Sequence, residues 1–356
     1  MERWNFNSKK NKKRRKFAFL IHPRISAKED MGKVHFLFKI FPEKILRWGI
    51  KHLSPFIGGE VILRKNNKSL GWIIVVPLVG KDFFSLKRDF VINKIIEAIK
   101  KAKSLGAEIV GLGEFIASVT HGGRDLVGKV ENIFLTNGNS LTAGSVIKAI
   151  EKIKKIREID LTKEKIAVVG GGGSVGRGVS LFLAEKKIPL IIIEKNEKIE
   201  ELKKVFSSFP FVEISDQLSL IKEAKIVIVT TSSTEQIIKP EYLRKEAIVY
   251  DITQPRNTSP EILKARKDII IIDGGVFDTP EIDYGMDIGL KRHQAYACLI
   301  ETMICAFEGL KENYVGYASI ERIRKMLTFM EKYQNHFKLN IFQSFKRSLN
   351  NKLKMT

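Results

Sequence analysis

The sequence predicts an α/β protein whose second half is a doubly wound parallel sheet, preceded by a smaller α/β domain and followed by C-terminal helices. Three observations carry that expectation. Six short β-branched runs alternate with helical segments between Ile166 and Ile272, the pattern of a parallel sheet covered on both faces. A run of glycines stands where the first of those strands must turn into its helix. From Asp287 onward the pattern reads as helical to the C-terminus.

The elements follow in order. Residues 1–16 read as a basic arm, and 17–21 as a short buried strand. Residues 61–64 and 71–78 read as a hairpin, because Lys65-Asn66-Asn67-Lys68 between them is turn chemistry. Apolar residues Val91, Ile95, Ile96, Ala98, Ile99 and Ala102 recur at helical spacing over 89–105, and Gly106 caps the helix. Strands at 108–110 and 133–136 and a helix over 141–156 complete a domain spanning 17–160, expected to bind the substrate. The second domain spans 161–286, with strands at 166–169, 190–193, 211–214, 226–229, 248–250 and 269–272. The remainder, 287–356, is a helical segment carrying Cys298.

Composition bounds the class. An apolar share of 44% with 29% charged residues is that of an ordinary globular chain. No apolar run approaches the roughly 20 residues of a membrane-spanning helix, and residues 17–21 are too short for a signal peptide's apolar region. Two cysteines suit a reducing cytoplasm, and their spacing is not a metal pattern. The formal charge of +22 admits a nucleic-acid partner, an acidic protein or membrane surface, or lysines scattered over solvated helix faces. Most lysines fall on amphipathic helices, which favours the last; only 9–16 is a dense block. It reads as a solvated arm able to touch a membrane surface, with no nucleic acid expected. Whether Phe342, Phe345 and Leu349 dock on a membrane stays open.

The glycine run carries the first functional signal. In Val169-Gly170-Gly171-Gly172-Gly173-Ser174-Val175-Gly176 a sharp turn needs glycine, and a pyrophosphate needs backbone at close range. The following helix offers free N–H groups and a partial positive charge. This is a Rossmann-type dinucleotide site, with Gly170, Gly173, Ser174, Val175 and Gly176 as its cradle. Glu194 ends the next strand, where a carboxylate binds the ribose hydroxyls of NAD; Lys195 and Lys198 nearby suit the extra phosphate of NADP. Thr231 and Ser232, with the loops after Asp251 and Asp273, stand at strand ends where the nicotinamide lies.

The cysteines lie on a second signal. Residues 293–310 read as a helix with an apolar stripe of Tyr296, Leu299, Ile300, Met303, Ile304, Phe307 and Leu310. Cys298 points away from that stripe, on a face shared with Gln294, Glu301, Thr302 and Cys305. Its position in the early turns, with His293 near, favours a thiolate; Glu301 opposes it. Cys305 reads as a small buried hydrophobe.

Several motifs together resemble the fatty-aldehyde-forming long-chain acyl-[acyl-carrier-protein] reductases and their bacterial relatives. They are Ala107-Glu108-Ile109-Val110-Gly111-Leu112-Gly113-Glu114-Phe115, Thr136-Asn137-Gly138-Asn139-Ser140-Leu141-Thr142-Ala143, the glycine loop, Asp273-Gly274-Gly275-Val276, and Ala295-Tyr296-Ala297-Cys298-Leu299-Ile300-Glu301-Thr302-Met303. The likeness runs in order over residues 17–337. It implies reduction of an acyl thioester, from acyl carrier protein or acyl-CoA, to a fatty aldehyde, with Cys298 accepting the acyl group and NADPH supplying the hydride. Asn139 and the Thr231–Ser232 loop are candidates to stabilise the oxyanion. Two departures stand out: Gly171-Gly172 replaces the family's Ala-Thr, and Glu194-Lys195 replaces the Ala-Arg of NADPH-binding members, so NADH is the competing expectation. The nearest rival reading is a dehydrogenase of a small hydroxy or amino acid acting without a covalent intermediate, and a more distant one is a basic dinucleotide-binding protein that is not an enzyme.

Overall fold

The computed structural model describes residues 15–23, 40, 42–233, 235–345 and 347–349. The basic arm lies almost wholly outside them. Two compact units result: Met1–Thr136 with Asp283–Met286 and Glu301–Tyr314, and Asn137–Ile282 with Asp287–Ile300 and Val315–Thr356.

In the first unit β1 (Lys16–Ile21) is central, with α1 (Glu43–Ile50), β2 (Phe56–Leu63), β3 (Lys68–Val75), α2 (Asp82–Ser85), α3 (Arg88–Ser104), β4 (Ala107–Leu112), α4 (Glu114–Val119) and β5 (Phe134–Thr136) following. The sheet order is β2-β3-β1-β4-β5, with the two-residue strand Ile282–Asp283 added beside β2. β2 and β3 form the expected antiparallel hairpin; β1, β4 and β5 are parallel. Val91, Ile95, Ala98, Ile99 and Ala102 are the buried face of α3, and Gly106 ends it at φ +86°, a conformation that needs no Cβ.

The second unit opens with α5 (Asn139–Arg157) and continues β6 (Ile166–Val169), α6 (Gly176–Glu185), β7 (Leu190–Ile193), α7 (Asn196–Val205), β8 (Val212–Ser215), β9 (Ile226–Val229), β10 (Ile248–Asp251), α8 (Pro260–Ala265) and β11 (Ile270–Asp273). All six strands are parallel in the order β11-β10-β9-β6-β7-β8, so the order reverses between β6 and β9 and opens a crevice at their carboxyl ends. This is the expected α/β, doubly wound sheet. Ala167, Val169, Ile191, Val227, Val229, Val249 and Ile271 pack one face; by alternation Val168, Ile192, Ile228, Tyr250 and Ile272 point to the other.

Two expectations shift. The boundary falls at Thr136/Asn137 instead of near 160, because α5 packs into the second unit, its Gly144 lying against Leu327 and Met330. The C-terminal segment is neither a separate body nor all helical. β12 (Val276–Asp278) pairs antiparallel with β13 (Gln294–Tyr296) and β14 (Lys338–Leu339), and among its described residues only α9 (Ala297–Phe307) and α10 (Ile320–Lys332) are helices. The β12–β13 register sets Gln294 opposite Asp278, and the Gln294 amide donates to that carboxylate at 2.8 Å. Such a cross-strand partner is invisible to helical periodicity. Leu349 is buried and Phe345 packs on the sheet core and under the Arg256 guanidinium, so neither faces outward to a membrane. Among the described residues no helix is long and apolar enough to cross one.

Candidate active site

The glycines of the cradle divide by what holds them small. A Cβ on Gly170 would stand 2.7 Å from the Thr231 backbone, with φ at +83°. On Gly171 it would press Ile192, and on Gly176 it would collide with the Gly170 carbonyl oxygen. These three are demanded by the strand–turn–helix itself. Gly173 differs: the nearest atom is the Gly170 oxygen at 3.2 Å, and the residue is half-exposed. That contact with a backbone oxygen is tight but milder than those at Gly170, Gly171 and Gly176, and the half-exposed backbone fits the approach of a phosphate at the start of α6. Ser174 and Val175 are half-exposed beside it.

Glu194 closes the cradle. Its carboxylate accepts the Gly172 N–H at 2.8 Å and the Lys195 N–H at 3.1 Å. The Lys195 side chain is exposed, and Lys198 half-buried. Across the crevice Thr230 Oγ donates to the carbonyls of Val169 and Gly170 at 2.9 and 3.1 Å. Thr231 Oγ accepts the Ser233 N–H at 2.8 Å, and Ser232 is exposed. The structure therefore brings Gly170–Gly176, Glu194, Thr231 and Ser232 to one sheet edge.

The two acidic strand ends beyond them are taken up by their own loops. Asp251 accepts from Thr253, Asn257 and Thr258, five bonds in all counting backbone and hydroxyl donors. Asp273 is paired with Arg256 and accepts from Gln343 and the Phe345 N–H. Both carboxylates shape loops.

Cys298 occupies the second half of the site. Of the eleven residues of α9, all are buried except Cys298, which is partly exposed. The expected apolar stripe is thus only part of the story, because the polar face is buried too. Glu301 is fully buried and takes a short hydrogen bond from Thr136, and Thr302 packs on Gly111, where any Cβ would collide with its hydroxyl. Cys305 is buried, as expected. The His293 ring is bonded through Nδ1 to the Ile282 carbonyl at 2.9 Å.

What stands against Cys298 is Gly138. A Cβ on Gly138 would overlap both Cβ and Cα of the cysteine. Gly138, at φ +77°, is the N-cap of the 19-residue α5. The sulfur-bearing residue therefore sits both in the first turn of its own helix and against the N-terminus of a second one, where partial positive charge favours a thiolate.

A short chain of hydrogen bonds ties this seat to the cradle. Asn137 and Asn139, on either side of Gly138, both donate side-chain amides to the Gly316 carbonyl, at 2.8 and 2.9 Å. Two residues on, the Ala318 N–H donates to the Ser174 carbonyl at 3.1 Å inside the glycine loop. One amide hydrogen of Asn139 is thus committed to Gly316. The loop around Gly316 was missed in the sequence, since nothing in Asn313-Tyr314-Val315-Gly316-Tyr317-Ala318 advertises two distant asparagines. Among the described residues no group of three or more His, Cys, Asp or Glu side chains is placed to hold a metal ion.

Comparison with known proteins adds a second line. The family model of shikimate/quinate 5-dehydrogenases matches residues 151–273, which is the sheet and cradle just described. The second unit thus has the NAD(P)-dependent oxidoreductase fold of the shikimate-dehydrogenase and reductase type. The chain is 27% identical over 337 residues to the aminotransferase PigE of a Serratia species, covering 89% of this chain and 39% of that protein. It is 26% identical to the long-chain acyl-[acyl-carrier-protein] reductase of Synechococcus elongatus, covering 66% of this chain and 72% of the relative. A glutamyl-tRNA reductase of Caldivirga maquilingensis is 27% identical over 67% of this chain and 52% of its own length. The chain spans about two-fifths of PigE and about half of that glutamyl-tRNA reductase.

Proposed function

We propose that this chain reduces a long-chain acyl thioester, carried by acyl carrier protein or coenzyme A, to a fatty aldehyde through an acyl-enzyme on Cys298. One observation carries the reading: α9 exposes a single residue, and it is a cysteine pressed on the N-terminus of α5. A structural cysteine is ordinarily buried and inert; here ten neighbours are buried and the thiol alone is not.

The chemistry follows from that seat. The Cys298 thiolate attacks the carbonyl carbon, the carrier thiolate leaves, and a new thioester of similar energy forms. The glycine loop, Gly170–Gly176, with Glu194 would hold a nicotinamide dinucleotide, which would supply the hydride for reduction of this thioester. The carbon–sulfur bond of the resulting thiohemiacetal then breaks, releasing aldehyde and returning the thiolate. The Asn139 N–H is already donated to Asn137 Oδ1 at 3.1 Å, so the donor left to stabilise the developing oxyanion here is the second side-chain amide hydrogen of Asn139, helped by the positive end of α5. A relative bearing the name of an aminotransferase fits an aldehyde product, since aldehydes are what such enzymes convert to amines. The shikimate-dehydrogenase match covers the cradle; it bears on the cofactor and says little of the substrate. The basic surface suits an acidic carrier protein.

Glu194 supports NADH as the preferred donor. Its carboxylate is fixed at the cradle by Gly172, where the extra phosphate of NADPH would meet a negative charge. The ratio of kcat/KM for NADH over NADPH should exceed unity, and Glu194→Ser should move it toward NADPH by about tenfold, or ~1.4 kcal/mol. An unchanged ratio in the variant would remove Glu194 from cofactor selection.

The central test is mass spectrometry of the protein exposed to long-chain acyl thioesters without cofactor. An adduct of acyl mass on the peptide containing Cys298 is expected, cleared on adding NADH or NADPH. Turnover of the thioester without any adduct would remove the acyl-enzyme, and neither adduct nor turnover would point instead to a dehydrogenase of a small hydroxy or amino acid.

A further inference from the structure

Tyr250 is among the largest fully buried side chains, and nothing in the proposed chemistry employs it. It stands on β10, on the face opposite the Val249 core, and burial pushes its phenol up to about 12. Its oxygen accepts the Gly275 N–H at 3.1 Å and is hydrogen-bonded to Ser145. The Ser145 hydroxyl has one hydrogen, donated to the Thr142 carbonyl at 2.7 Å, so the phenol must be the donor to Ser145. Thr142 in turn donates its hydroxyl to the Gly138 carbonyl at 2.7 Å. Gly138, Thr142 and Ser145 lie along one face of α5, four and seven residues apart. A rail of hydroxyl hydrogen bonds thus runs from Tyr250 to the residue that touches Cys298.

The other side of Tyr250 reaches the same cysteine by a second route. Its ring fills the space beside Gly274, where a Cβ would stand 2.7 Å from the ring. Gly275, held by the phenol at φ +66°, accepts the Ala297 N–H at 2.8 Å, and Ala297 immediately precedes Cys298. One phenol therefore fastens both walls of the seat: the start of α5 through Ser145, and the start of α9 through Gly275.

We infer that Tyr250 is a positioning residue for Cys298, holding the first turn of α9 against the N-terminus of α5 so that the sulfur stays within reach of its amides. The inference rests on the reading of Cys298 as the nucleophile. Loss of the phenol oxygen leaves the Gly275 N–H without its acceptor and lets the two walls part. The sulfur then loses part of the field that favours its thiolate.

The test is the rate at which iodoacetamide alkylates Cys298 in the native full-length protein at neutral pH, read on its own peptide and referred to glutathione. The wild-type thiol should react faster than glutathione. Tyr250→Phe should lower that rate about tenfold and lower kcat with the KM for the dinucleotide unchanged. Ser145→Ala, which keeps the Gly275 bond, should give a smaller fall in the same direction should the phenylalanine variant fail to fold. A variant that melts at lower temperature yet alkylates at the wild-type rate would show Tyr250 to be merely structural and overturn the inference. A wild-type Cys298 no faster than glutathione would instead overturn the nucleophile assignment beneath it.

Discussion

Cys298→Ala should abolish turnover of every acyl thioester, by on the order of 10⁴-fold, while the protein still binds the dinucleotide. The change removes one sulfur from a partly exposed position, so no cavity opens in the core and stability should hold within about 1 kcal/mol. The variant should show no acyl adduct, and titration of its cofactor fluorescence should give the wild-type dissociation constant. Cys305→Ala provides the contrast: that thiol is buried, so the expected cost is stability, with turnover per folded molecule retained. Normal turnover by Cys298→Ala would end the acyl-enzyme scheme.

Gly138→Ala is expected to be nearly as damaging, for a different reason. An alanine there would need φ near +77° and would overlap Cys298. Strain of the first kind costs more than about 1 kcal/mol, and overpacking about 1–3 kcal/mol. Since the added methyl meets Cys298, the proposed nucleophile, the structure can relieve the clash only by moving that residue off the helix end. Turnover should fall at least about 10²-fold, with a lowered denaturation midpoint in urea. A stable Gly138→Ala variant with wild-type kcat would show that the cysteine does not need this helix terminus.

Much of the second unit was legible because its signals are local. Ile166–Val169, Leu190–Ile193 and Ile226–Val229 are β-branched runs that could only be buried strands, and the glycines announced the turn between the first and its helix. The region after Asp287 was not legible in that way. Gln294-Ala295-Tyr296 joins a strand 16 residues earlier, and Glu301 and Thr302, polar in sequence, are buried by partners at Thr136 and Gly111. A helix wheel assigns such residues to solvent because it cannot see what arrives from elsewhere in the chain. The same limit hid Tyr250, which reads as one more strand residue until Gly275 and Ser145 are brought to it.

Gly173 has a consequence of its own. A methyl group at that position demands no unusual torsion and meets the Gly170 carbonyl oxygen at 3.2 Å, a contact that a shift of a few tenths of an ångström relieves, so Gly173→Ala should fold with a modestly lowered melting temperature. Its larger cost would fall on the visitor, as a weakened grip on pyrophosphate visible by calorimetry. Where a chain stays bare although its own atoms ask for only a small adjustment to carry more, the guest has the larger claim on the space, and a single methyl should yield a folded protein with a weakened hold on its dinucleotide.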